Sequence, residues 1–440
     1  MAHKLTAEEI AANNLTGEVI DEFNRKMRAL YFLAETQLPH ARENQKKGMS
    51  SLAEMLAETA ATLAKPEANV KQRAHAVNFI NEAVGQLKNH AMVKHDEMLA
   101  QTIFISIFSI FDAFLNHLLR NLYARKPSLI HMLENRQIVL ADLLNNTREQ
   151  IVESLIDDDI ESLLRKSYSE IFEKLAKRFD VSTLKNYPNW PVFIECSQRR
   201  NLVTHCDGVV SNQYLAKCKE EKVTLEHGVA LDVKLKVTQE YLLNSIDIVN
   251  ETGIKLGQIL WRAACDKSVA LADEHLANLI FEFLKREQWQ FVLRMSELSE
   301  ALGKRSNQHL REARIAKILL INHAQAAKWS GNPKLAMKLL DSVDWTDGAI
   351  EFRLAVAVIK EEYDNAATLM RMAGSNAELC PIHGYVGWPI FREFRLTPQF
   401  AAAFESIFGV GFADEVKKVS DQSVQDMLPE GDDDASRPHA

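Results

Sequence analysis

Apolar residues recur at three- and four-residue intervals along most of the chain, a pattern that predicts helices almost throughout. Thr6-Ala-Glu-Glu offers a capping threonine and an acidic first turn, and the helical pattern continues through Leu30, Phe32 and Leu38. A second helix is expected from about Ser50, with Leu52, Met55, Leu56 and Leu63 at helical spacing. Lys65-Pro-Glu-Ala breaks it, and a third runs from Val70 to His90. This opening region, residues 1–93, shows no recognisable chemistry and reads as a helical adaptor or dimerisation arm.

From Met98 to Tyr123 the pattern is strongest: Phe104, Ile107, Phe108, Phe111, Phe114, Leu115, Leu118 and Leu122 form a wide apolar stripe, ended by Lys126-Pro127. Asp112 sits on its shoulder, either reaching solvent or orienting an arginine. Arg148 to Phe179 supplies one or two helices, with an interruption expected near Asp157-Asp158-Asp159. Asn186-Tyr-Pro-Asn-Trp-Pro191 marks a loop, and Val192 to Cys206 a helix stopped by Asp207-Gly208. Val223 to Val237 alternates weakly and predicts a short hairpin or extended loop; Thr238 to Trp261 is again helical.

Beyond Asp266 the pattern becomes one of helix pairs. Trp329-Ser-Gly-Asn-Pro333, Tyr363-Asp-Asn365 and Thr397-Pro398 mark junctions, and the steps from Pro333 to Asn365 to Pro398 are 32 and 33 residues. That is close to the ~34-residue period of helix-turn-helix repeats. Gly331, Ala336 and Leu340 match small and large positions of a tetratricopeptide repeat, so the stretch reads as tetratricopeptide-like; an irregular helical domain is the alternative. The residues from Asp414 onward, including Glu430-Gly-Asp-Asp-Asp434, are expected to be a disordered acidic tail.

Composition supports the helical reading: only 16 glycines and 11 prolines punctuate 440 residues. The net charge of −8 argues against a protein that coats nucleic acid nonspecifically. From Asp414 to Ala440 there are eight acidic and three basic side chains, so −5 of the −8 lies in the tail and the body is nearly neutral. Five cysteines without CxxC spacing imply free thiols in a reducing cytoplasm. No signal peptide is expected, and the Met98–Phe111 run is too short and polar to predict a membrane span. Cys380-Pro-Ile-His383 has half of a zinc-ligand spacing with no matching pair, so neither metal nor cofactor is expected. Leu302-Gly303-Lys304-Arg305-Ser306 lacks the first glycine of a P-loop.

The densest chemistry lies in Arg199-Arg200-Asn201-Leu-Val-Thr-His205-Cys206-Asp207-Gly208. Histidine suits proton transfer near neutral pH, and arginine presents a fork to phosphate oxygens. Together they fit RNA cleavage by attack of the 2′-hydroxyl on the adjacent phosphodiester. On one helix Asn201 and His205 share a face, while Arg200 lies about 140° from His205. The two therefore converge only at a frayed helix end, or across a two-fold dimer. His205-Cys206-Asp207 is no catalytic triad, because adjacent helical residues diverge by about 100°. Lys217, Lys219 and Lys222 are interleaved with Glu220 and Glu221, as on a solvated face.

Arg200-Asn-Leu-Val-Thr-His205 resembles the R-x(4–6)-H motif of HEPN-superfamily ribonuclease domains. The flanking run to Tyr214-Leu215, the Phe111-Asp112-Ala-Phe-Leu115 segment and Tyr241-Leu-Leu before a closing helix are similar to that family as well. Cys206-Asp207 departs from it, standing where asparagine or glycine is frequent. The resemblance covers about residues 94–264 and implies a helical bundle, dimerisation through the motif helices, and metal-independent cleavage leaving a 2′,3′-cyclic phosphate. It also implies a role as a toxin or in defence against foreign nucleic acid.

The expected protein is thus all-α, with an N-terminal helical region (1–93), a HEPN-like ribonuclease bundle (94–265), a tetratricopeptide-like helix-pair domain (266–412) and an acidic tail (413–440). Arg200, Asn201 and His205 are the expected catalytic residues, with Arg199, Asp112 and Asp207 as RNA-contacting or supporting groups. RNA is the expected substrate, a second copy the expected partner, and the helix pairs a place for a protein partner. The rival expectation is an inactive dimeric scaffold; a nuclease silent until triggered is a third.

Overall fold

A computed structural model describes residues 7–63, 65, 69–92, 94–133, 138, 140–264, 268–305, 313–375 and 381–427. Among these residues the protein is all-α, with one isolated antiparallel bridge between Val209 and Lys234. Thr6, Cys265, Ser306, Cys380 and residues 428–440 lie outside the described residues. The chain divides into two compact units, Met1–Ala272 and Asp273–Ala440.

In the first unit, α1 (Ala7–Leu63) and α2 (Val70–Met92) precede the central helix α3 (His95–Arg125). Then follow α4 (Leu140–Asn145), α5 (Arg148–Leu164), α6 (Tyr168–Phe179), α7 (Trp190–His205), α8 (Asn212–Glu220) and α9 (Gln239–Ala264). The apolar stripe of α3 is buried against α1, α5, α7 and α9. α3 is long and apolar enough to cross a membrane, but that stripe forms the centre of the bundle. Aromatic rings fill it: Phe111 lies 5.4 Å from Phe193 and 5.5 Å from Tyr168, and Phe23 of α1 stacks 4.4 Å from Phe114.

Several expectations are corrected. Residues 1–93 are not a separate region, because the stripe Ile20, Phe23, Met27, Leu30, Ala34 and Leu38 is buried and packs α1 on α3 and α9. α1 also runs unbroken through Pro39, whereas two helices were expected between Thr6 and Leu63. Proline removes the N–H that would bond the carbonyl four residues back. Gln239 donates instead to the Glu35 carbonyl at 3.3 Å and to that of Ala34 at 3.2 Å. The interruption between α5 and α6 falls at 165–167 and not at Asp157–Asp159. Thr147–Gln150 and Ser167–Glu170 form capping boxes that fix both helix starts. Asp159 is buried and bonds Tyr123 (2.6 Å) and Arg178 (2.7 Å).

The second unit holds α11 (Trp289–Arg305), α12 (Ala313–Trp329), α13 (Pro333–Leu340), α14 (Ile350–Ile359), α15 (Tyr363–Ala373), α16 (Ile382–Gly387), α17 (Pro398–Phe408) and α18 (Phe412–Met427); α10 (Val269–Leu284) leads into it. Three short helix-to-helix turns share one geometry. Glu287, Gly331 and Glu361 each adopt a left-handed backbone (φ 57°, 89° and 62°). The next residue's N–H returns to the carbonyl five positions back in all three, at 3.2 Å for Gln288 and 2.9 Å for Asn332 and Glu362. The three junctions read from the sequence are helix starts, at Pro333, Tyr363 and Pro398, with steps of 30 and 35 residues; the turn at Glu287 lies 44 residues before the one at Gly331. Ala336 and Leu340 are fully buried in the core of this unit. The expected disorder from Asp414 is replaced by α18 as far as Met427, anchored by Phe412 at 5.0 Å from Phe400 and 5.2 Å from Phe404.

A Cβ placed on Gly253 of α9 would fall 2.3 Å from the Phe23 ring of α1. Gly253→Ala is therefore expected to lower stability by about 1–3 kcal/mol, read as an earlier urea midpoint with an unchanged slope.

Candidate active site

α7 begins with Pro191 in its first turn, where the missing N–H is harmless. It ends where Asp207 and Gly208 both turn left-handed, at φ 51° and 79°. A Cβ at position 208 would lie 2.9 Å from the Leu235 carbonyl oxygen, so only glycine fits there. The Cys206 and Gly208 N–H groups both donate to the Leu202 carbonyl, keeping the helix regular through His205. Val210 N–H donates to the Val233 carbonyl and Leu235 N–H to that of Gly208, both at 2.9 Å. Residues 233–235 thus pair with 208–210, and Val223–Val237, expected as a short hairpin or extended loop, is a loop held by this pairing.

The inward side of α7 carries a polar knot. Glu195 accepts from Arg199 Nε (2.7 Å), the Tyr214 hydroxyl (2.7 Å) and the Tyr241 hydroxyl (2.6 Å). The Arg199 guanidinium also lies 3.8 Å from the centre of the Tyr241 ring. Burial, and then the Glu195 charge, push the Tyr214 hydroxyl above its ordinary pKa, so it remains a donor. Arg199 is only 3 % exposed, which corrects its expected role as an RNA contact: its best hydrogen bond is internal. A cavity of about 260 Å³ opens beside this knot, lined among others by Pro188, Val192, Arg199, Leu225 and Tyr241.

Arg200 points elsewhere. Its Nη2 is 3.4 Å from the Tyr168 hydroxyl and 3.9 Å from the Asp112 carboxylate, and its guanidinium lies 5.3 Å from the Phe108 ring centre. Tyr168 in turn donates to Asp112 at 2.6 Å. Three segments, α3, α6 and α7, therefore meet at one arginine. The contacts to Nη2 are long, and the buried Nε has no hydrogen-bond partner, so much of the donor capacity of the fork is unspent. Burial raises the Asp112 pKa, against the opposing effects of the Tyr168 hydrogen bond and the Arg200 charge.

Asn201 and His205 are exposed, and neither side chain bonds another described residue. Because α7 is regular to its end, Arg200 and His205 remain about 140° apart and about 7.5 Å apart along the axis. Fraying does not bring them together within one chain. Asp207 is exposed and forms an ion pair with Lys234 at 2.6 Å. Lys217 pairs with Glu220 at 2.7 Å. Burial pushes the Cys196 thiol up to about 12 and the Cys218 thiol to about 11, which leaves both unreactive. Among the described residues no group of three or more His, Cys, Asp or Glu side chains could hold a metal ion.

Sequence reasoning missed Tyr168 and Glu195. The i, i+4 spacing of Glu195 and Arg199 was the available signal for one; nothing local marks Tyr168, which reaches Asp112 across 56 residues.

Glu195→Ala would leave Arg199 buried without its carboxylate, and is expected to cost about 3–5 kcal/mol in chemical denaturation. A carboxyl whose pKa is raised on folding loses stability as pH climbs through that pKa. Asp112→Asn should therefore match or exceed the wild type in melting temperature at pH 7, with the difference closing in acid as Asp112 protonates. Comparison of the chain with protein-family models, curated proteins and solved structures finds no match.

Proposed function

We propose that the protein is a metal-independent endoribonuclease of HEPN type, working as a homodimer, with a role as a toxin or defence effector. The observation that carries this reading is Arg200: a guanidinium steadied by Asp112 and Tyr168, with donors left over, on the helix that ends in an exposed histidine. The resemblance of Arg200–His205 to the family motif supplies the reaction class.

In this reading Arg200 donates to the non-bridging oxygens of the scissile phosphate and stabilises the charge that develops there. His205 takes the proton from the 2′-hydroxyl or delivers one to the departing 5′-oxygen. The O2′–P bond forms as the P–O5′ bond breaks, leaving a cyclic phosphate and a 5′-hydroxyl. Asn201 shares the His205 face and bonds the phosphate or orients the ring. Asp112 and Tyr168 act through Arg200. His205 and Arg200 diverge on one helix, so the residues that complete each site come from a second copy.

The inactive-scaffold reading draws on the second unit, where a cavity of about 370 Å³ between α13, α14 and α15 is lined by Arg353, Lys360, Trp345 and Asp344. End-labelled RNA incubated with purified protein in EDTA separates the two. Cyclic-phosphate ends are expected, with the rate falling roughly 10²–10⁴-fold in His205→Ala and unfolding curves unchanged. Equal behaviour of wild type and His205→Ala across several RNAs and in cell-growth assays would leave the scaffold, or a nuclease that stays silent until a trigger is supplied.

A further inference from the structure

The cavity of about 260 Å³ beside the Glu195 knot has three sides: α7, α9 and the loop that follows α8. α7 gives the longest, from Pro191 and Val192 through Glu195 to Arg199, a run of about 12 Å along the axis. α9 adds Tyr241 and Asn244, three residues apart and so on one face. The loop adds Val223 and Leu225, which pack against the small core of Leu202, Val210 and Tyr214. Its start is pinned by Glu221, which accepts from the Trp190 indole N–H at 2.9 Å.

The inner end of this cavity is cationic. Arg199 spends its Nε on Glu195, but Nη1 reaches the Lys236 carbonyl only at 3.5 Å. Nη2 has the Glu226 carboxylate at 3.9 Å, beyond hydrogen-bond range. The side chain is only 4 % exposed, so this is a buried donor edge with capacity to spare. The mouth carries both signs, since Lys222 and Glu226 line it and are exposed. Asn244 is exposed there too, and its amide bonds no other described residue. Between the two ends the walls are apolar: Pro191, Val192, Val223 and Leu225 are each half-buried.

A cavity of ~150 Å³ holds one benzene, so this one suits a molecule somewhat larger. The charge of Arg199 is already matched by Glu195, and a phosphate or dicarboxylate would leave an excess of buried negative charge. A ligand with one carboxylate and one ammonium group adds no net charge. It also replaces the long Arg199–Glu226 contact by two short ones.

We propose that the cavity binds a free α-amino acid with an apolar side chain, about the size of leucine. Its carboxylate takes the Nη donors of Arg199, its ammonium group takes the Glu226 carboxylate, and its side chain lies on Pro191, Val192 and Leu225. The site uses neither Arg200 nor His205 and stands apart from the nuclease reading.

Isothermal titration of the full chain with L-leucine is expected to show saturable binding. Isocaproate, which lacks the ammonium group, and isopentylamine, which lacks the carboxylate, should each bind at least about tenfold more weakly. L-serine, without the apolar body, should fall by a similar factor. Arg199 is a poor position to remove, because its loss strands the buried Glu195; the variants therefore sit at the exposed mouth. Glu226→Gln should bind leucine no better than isocaproate. Asn244→Trp, which plugs the mouth, should bind neither, and both variants should keep the wild-type melting temperature without ligand. The proposal is overturned by no binding up to about 10 mM L-leucine, or by leucine binding unchanged in either variant. Isocaproate, isopentylamine or inorganic phosphate binding as tightly as leucine would overturn it as well.

Discussion

The buried carboxylate of Glu195 fixes how α7 is rotated about its own axis, and the candidate site follows from that rotation. A carboxylate in an apolar interior is tolerated only when its oxygens are bonded and its charge is matched. Arg199 supplies the charge, while Tyr214 of α8 and Tyr241 of α9 supply hydroxyls. Turning α7 by one residue would strand all four groups. With Arg199 held inward, the next residue must project about 100° away, and it meets Asp112 and Tyr168. Asn201 and His205 then have only solvent left to face. The two neighbouring arginines thus have opposite fates, one turned inward to Glu195 and one turned toward Asp112 and Tyr168.

The helices were largely legible because apolar spacing is a local property. What escaped depended on distant partners or on backbone choices that residue type does not announce. Two helices were expected where α1 runs unbroken, and the amide of Gln239 that supports the helix at Pro39 lies 204 residues from Glu35. The turn at Glu287 was not read from the sequence because a glutamate there takes the left-handed conformation that Gly331 advertises. The acidic character beyond Asp414 suggested disorder, yet Phe412 and two phenylalanines of α17 anchor a helix there.

Of the candidate site, Arg200, Asn201 and His205 were named from residue chemistry and motif resemblance, and Asp112 from its place on the shoulder of α3; the structure shows Asp112 beside Arg200. Arg199 could not be told from Arg200 by type. The distinction lies in Glu195 one turn back, together with two tyrosines that no spacing rule links to it. Tyr168 is part of an aromatic core by its neighbours and part of the site by its hydroxyl, and sequence shows only the first.

The way α1 is fastened also has a consequence for synthesis. Its apolar stripe is satisfied by α3 and α9, and the buried Asn24 bonds Asn250, 226 residues later. At about 5–20 residues per second, a ribosome needs roughly 10–45 s to make that partner. During this interval the first helix of the chain presents Ile20, Phe23 and Met27 with half of their packing absent. The first unit is helical, yet its closure is non-local and late, so it shares the long exposure usually associated with sheet proteins. A helix that must wait for a partner made so much later is a place where a chaperone would meet the nascent chain.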